Sequence, residues 1–97
     1  MSDKYILDGK NAVPCDDLLA WGNWMQSADR VVAKTDVNGA RVSTVFLGLD
    51  HAWDGERPML FETLVFEGDH DGDMERCETW EQAEKQHSQM VEKLQAQ

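Results

Sequence analysis

The sequence predicts an α+β domain: an antiparallel β-sheet of four to five strands with two helices packed on one face, in the order β-α-β-β-β-β-α. Three observations carry that prediction. An Asn38-Gly39 pair sits between two β-branched runs, a strong hairpin signal because both residues tolerate positive φ. Thr79-Trp80-Glu81-Gln82 fits a capping box and opens a long apolar stripe of helical period. The 97 residues, 41% of them hydrophobic, suffice for one thin core and leave little room for a second. Residues 1–97 are therefore read as a single domain.

Taken in order, Tyr5-Ile6-Leu7 is a short apolar run ended by the turn signal Asp8-Gly9, and reads as a first, edge strand. A polar link leads to Pro14. Asp16 and Asp17 then precede Leu18, Trp21, Met25 and Ala28, which share one helical face. Aspartates at that point suit the positive end of a helix dipole. Gly22 weakens this helix by about 1 kcal/mol relative to Ala. Val31–Thr35 and Arg41–Leu49 flank Asp36-Val37-Asn38-Gly39 as a hairpin. Pro58–Phe66 reads as a strand apolar on both faces, with Leu60, Leu64 and Phe66 on one and Phe61 and Val65 on the other. Such a strand is expected to be central, or covered on both sides. Met74–Cys77 is the last short strand. Behind Thr79, the stripe of Trp80, Ala83, His87, Met90, Val91 and Leu94 forms the final helix.

Charge is the most uneven property of the chain. The net charge is −10. Residues 1–48 carry six acids and five bases, whereas residues 49–97 carry thirteen acids and four bases. Between Glu67 and Glu84, eight acids face the single Arg76. Such a surface repels phosphate backbones, which argues against direct nucleic acid binding. It favours encounter with a basic partner, and equally serves solubility. No run approaches the 18 or so apolar residues of a membrane span, and Met1-Ser2-Asp3-Lys4 lacks the signal-peptide pattern. A cytoplasmic location follows as the expectation. Cys15 and Cys77 form no CxxC pair, and read as free thiols in a reducing compartment. A homodimer is compatible with the small size and four tryptophans.

Several groups are candidates for chemistry. Glu67 to Glu78 has the spacing of a calcium loop, with Asp69, Asp71, Gly72, Glu75 and Glu78 at its later positions. Glu stands first where Asp is usual, and a strand rather than a helix enters the loop, so a solvated acidic turn is the preferred reading. The histidines and cysteines lack paired zinc spacing, and no metal or other cofactor is expected. His87 lies on the apolar stripe and reads as a hydrogen-bonded core imidazole. His51, at a strand end, is the better site candidate. Glu62, inside an apolar run, would pair with Arg76 if their strands are neighbours. With His51 they would form a proton-transfer or small-molecule site; the blander reading is a structural ion pair. No nucleophile elbow, phosphate loop or HExxH motif supports an enzyme. Trp53 and Asp54, in a loop, suit an interface anchor.

Arg41-Val42-Ser43-Thr44-Val45-Phe46-Leu47-Gly48-Leu49-Asp50-His51 resembles a motif of short uncharacterised proteins encoded by bacteriophages and prophages. Val13-Pro14-Cys15-Asp16-Asp17-Leu18, Leu60-Phe61-Glu62-Thr63, Met74-Glu75-Arg76 and Thr79-Trp80-Glu81 resemble it too. The resemblance implies a phage setting and host cytoplasm, and no established activity. The leading functional expectation is a non-enzymatic accessory protein that binds a host protein with a basic surface, with counter-defence as its role. The partner-binding candidates are Trp53, Asp54, Glu67, Asp69, Asp71, Asp73, Glu75 and Glu78. A nucleotide-signal binder is the alternative, requiring arginines among Arg30, Arg41, Arg57 and Arg76 to converge. A small enzyme using His51 and Glu62 is the third.

Overall fold

In the computed structural model, residues 3–51 and 57–96 are described. Strands β1 (Tyr5–Asp8) and β2 (Asn11–Pro14) lead to helix α1 (Leu18–Ser27). Strands β3 (Val31–Val37), β4 (Ala40–Phe46), β5 (Phe61–Phe66) and β6 (Met74–Cys77) follow, and helix α2 (Trp80–Gln95) closes the chain. The fold is α+β. β3-β4-β5-β6 form an antiparallel meander, and β1 and β2 form a separate antiparallel pair. The Asn38-Gly39 turn takes φ of 50° and 82°, the two positive values that a two-residue hairpin requires.

One strand escaped the sequence reading. Asn11–Pro14, taken as a polar link, pairs with β1 in register Tyr5↔Pro14 to Asp8↔Asn11. Its composition hides it, because Asn and Pro disfavour strands and only Ala12 and Val13 lie between them. Pro14 is tolerated at the end of a two-stranded ribbon, where its missing N–H costs no central ladder bond.

Pairing register sorts the main sheet into two faces. Val37, Ala40, Val42, Phe46, Phe61 and Val65 point inward and are buried. α2 lies across this face and contributes Ala83, Met90 and Leu94. The apolar interior falls into two clusters. Val37, Ala40, Val42, Val65, Met90 and Leu94 gather at one end. Phe46, Leu60, Phe61, Cys77 and Ala83 gather at the other, joined by Tyr5, Leu7, Ala12, Trp24 and Trp80. Trp24 carries α1 onto the same face, meeting the Phe46 ring edge-on at 5.7 Å.

α1 buries a face slightly rotated from the expected one. Trp21, Trp24, Met25 and Ala28 are half-buried, but Leu18 is 63% exposed. The reach of Trp24 to Phe46 turns the helix towards its own side, and Leu18 and Leu19 of the first turn stay in water. Asp17 caps α1 by accepting from the Ala20 N–H at 3.1 Å. The expected capping box of α2 is present, with the Thr79 hydroxyl accepting from the Gln82 N–H and the Gln82 side chain accepting from the Thr79 N–H.

Candidate functional site

The outer face of the sheet is not covered by any described element. Its side chains form three rows across the strands: Asp36, Arg41 and Phe66; Lys34, Ser43, Leu64 and Met74; Val45, Glu62 and Arg76. Phe66 is 46% exposed and Met74 44%. β5 is central, as its two apolar faces imply, yet only the face of Phe61, Thr63 and Val65 is sealed. Of the two expectations for a doubly apolar strand, the central position is the one that holds. Phe66 and Met74 leave large apolar side chains in water beside a concentration of charge on this face.

That charge sits on the connection between them. Glu67, Asp69 and Asp71 are exposed, and Asp73 is half-buried. The turn is held from within: the Val65 N–H donates to the Asp73 carbonyl, and the Gly72 N–H to the Val65 carbonyl. Glu67 has φ of 68°, and its N–H donates to Asp71 Oδ1 at 2.6 Å. Asp73 accepts from Lys93 Nζ at 2.8 Å and from His70 Nδ1 at 3.0 Å. The Lys93 ammonium first, and then the His70 ring, hold its carboxyl below the ordinary carboxylate range. Glu75 stands exposed on β6, and Glu78 accepts from Arg57 Nη1 at 3.3 Å. The carboxylates thus engage separate partners rather than converging. Among the described residues no group of three or more His, Cys, Asp or Glu side chains could hold a metal ion.

Glu62 and Arg76 are cross-strand neighbours, and Arg76 Nε donates to Glu62 Oε2 at 3.0 Å. Their side chains are largely buried on the outer face, with 18% of Glu62 and 30% of Arg76 exposed. His51 is not part of that pair. Its N–H donates to the Met59 carbonyl at 3.1 Å, which places it three residues before Glu62 along the chain that forms β5. Three residues of extended chain span about 10 Å. Trp53 and Asp54 lie outside the described residues.

Each of the four candidate arginines has a hydrogen-bond partner within the chain. Arg30 donates to the Phe46 carbonyl, Arg41 to Asp36, Arg57 to Glu78 and Arg76 to Glu62. Arg57, Arg76 and Lys85 share an open cleft of about 350 Å³, but Glu75 and Glu78 line it as well. A second cleft, of about 600 Å³, runs between Lys34, Asp36, Arg41, Ser43, Phe66 and Glu67. It joins the exposed ring of Phe66 to the start of the acidic turn.

His87 has the role its position on the apolar stripe suggests. The ring is buried between the two apolar clusters, with Nδ1 2.8 Å from Thr44 Oγ1 and Nε2 2.9 Å from Thr35 Oγ1. Thr44 Oγ1 is also 2.7 Å from Thr63 Oγ1. Every polar atom of this layer has a partner, which makes it structural rather than reactive.

Comparison with protein-family models, curated proteins and solved structures finds no match to this chain.

Proposed function

We propose that the chain is a non-enzymatic binding module that takes a protein partner with a basic surface, using the outer sheet face at Phe66 and Met74 together with the turn between them. The observation that carries this reading is the adjacency of exposed apolar and acidic groups. Phe66 immediately precedes Glu67, and Met74 immediately follows Asp73. An aromatic anchor supplies contact area, and the surrounding carboxylates steer a cationic partner and set its orientation. Asp69, Asp71 and Glu75 have no cationic partner among the described residues, so their field is available to an incoming surface. The likeness of the 41–51 segment to phage-encoded proteins supports a host protein as that partner, and counter-defence as the role. The enzyme and nucleotide readings have less support, since His51 bonds the Met59 carbonyl rather than Glu62, and the cleft that Arg57, Arg76 and Lys85 share is also lined by Glu75 and Glu78.

The test is capture of partners from host lysate by the immobilised chain, in three forms. The wild type should retain a basic protein that elutes with salt. Phe66→Ala with Met74→Ala should lose it, as should the combined Asp69→Asn, Asp71→Asn and Glu75→Gln variant. Capture that persists in both variants and in high salt would overturn the proposal.

A further inference from the structure

We infer that β3 is a dimerisation edge, along which a second copy of this chain pairs antiparallel about a two-fold axis at Thr35, bringing Lys34 opposite Asp36 of the second copy. This does not rest on the function proposed above.

β3 is the outermost strand on its side of the meander, and seven residues long. Its backbone polarity follows from the hairpin. In a two-residue hairpin the flanking residues, here Val37 and Ala40, form a hydrogen-bonded pair, and bonded and non-bonded pairs then alternate. Val37, Thr35 and Ala33 therefore turn their backbone groups to β4. Lys34 and Asp36 turn theirs outward, where no described residue meets them. A long edge with unpaired donors and acceptors is a template for another strand.

The opposite edge is shorter and partly engaged: β6 has four residues, and its Arg76 carbonyl accepts from Gln86 Nε2 of α2 at 3.2 Å. β3 therefore carries the longer free ladder of the two edges of the main sheet.

Charge selects both occupant and register. Lys34 and Asp36 project from the same face, two residues apart, and both are exposed. A two-fold axis at Thr35 places each Lys34 opposite an Asp36, at a hydrogen-bonded pair position with Cα atoms about 5.5 Å apart. Both outward backbone pairs are then satisfied at once. Arg41 already donates to Asp36 at 3.0 Å, so each Asp36 would lie between Arg41 of its own chain and Lys34 of the second copy. Centring the axis on Lys34 or on Asp36 instead would oppose like charges. Of these three registers, only the one centred on Thr35 is self-complementary, as an isologous pair requires. The axis runs perpendicular to the sheet, so the two helices stay on one side and the two outer faces on the other.

Sedimentation equilibrium over a range of protein concentrations, with circular dichroism as the check on folding, tests this. The wild type should show a reversible monomer–dimer equilibrium. Lys34→Glu alone and Asp36→Lys alone oppose like charges twice per dimer, and each should weaken self-association about tenfold or more. Mixing these two variants restores opposite charges at both positions, and a heterodimer should form with near wild-type affinity. A wild type that stays monomeric at high micromolar concentration overturns the inference. So does a dimer that both variants leave unchanged, or a mixture that fails to associate when each variant is folded.

Discussion

His87 is the residue whose environment makes the sharpest demand. Both ring nitrogens meet threonine hydroxyls, and the groups that surround them, Thr35, Thr44 and Thr63, carry no charge. Burial without a counter-ion pushes its pKa down from 6.5. The unfolded chain takes up a proton as pH falls through about 6.5, and the native chain resists, so stability rises with pH in this window. The contribution is fully present above about 6.5 and is lost progressively as pH drops toward the depressed native value. Urea unfolding between pH 7.5 and 5.5 should show that loss, and His87→Gln should flatten it. Identical slopes in the two proteins would mean His87 is not the group responsible. His87→Ala would take the imidazole partner from the half-buried Thr35 hydroxyl and leave buried Thr44 with Thr63 alone, at a cost of about 1–3 kcal/mol. The sequence revealed this histidine as a core residue through its place on the stripe. It did not reveal the threonines, because a hydroxyl in a strand reads the same whether it faces water or an imidazole. Cys77 follows the same logic of burial. Removal from water, with the Glu75 carboxylate nearby, pushes its thiol up to about 11, and it should label with iodoacetamide only on unfolding.

At the scale of elements, the legible parts were those with a local chemical signature. The Asn38-Gly39 hairpin and the Thr79 capping box both stand where residue type demands them, and β3 and β4 follow from β-branched runs and β5 from an apolar one. β2 was illegible because its pairing with β1, not its own composition, makes it a strand. The exposure of Phe66 was illegible for a related reason. A period-two pattern says which residues share a face, but not whether another element covers that face. The join between α1 and β4 shows how strongly long-range packing constrains a single position. Gly48 has φ of 77°, and its carbonyl accepts from Trp21 Nε1 at 3.1 Å. A Cβ there would lie 2.6 Å from Met25 Sδ. Gly48→Ala therefore meets both backbone strain and a side chain that must move. It should cost about 1–3 kcal/mol and lower the melting temperature, with loss of near-ultraviolet tryptophan dichroism as α1 loosens. A variant that melts with wild type would show that α1 is held by Trp24 and Phe46 alone.

Across the whole molecule, a narrow body and a large charge act together. The shortest extent is 20 Å, the depth of one sheet and one helix layer, and no described element covers the outer face. The same thinness keeps nearly every carboxylate close to solvent and to its neighbours. The six ion pairs among the described residues are mostly exposed, as in Arg41–Asp36 and Arg57–Glu78, and such pairs contribute little. Arg76–Glu62 is the most protected of them. Against these stands the self-repulsion of a chain of net charge −10, concentrated after residue 48. Raising salt toward physiological strength shortens the screening length to about 8 Å, which weakens repulsion among spread carboxylates more than contacts made at hydrogen-bond distance. The melting temperature at a fixed, dilute protein concentration should therefore rise with sodium chloride. Replacing Asp69, Asp71 and Glu75 by their amides should raise it in low salt and blunt the salt response, since those acids repel their neighbours without a cation to offset them. A melting temperature that falls with salt would reverse the argument. It would make the ion pairs, above all Arg76–Glu62, the dominant electrostatic element of the fold.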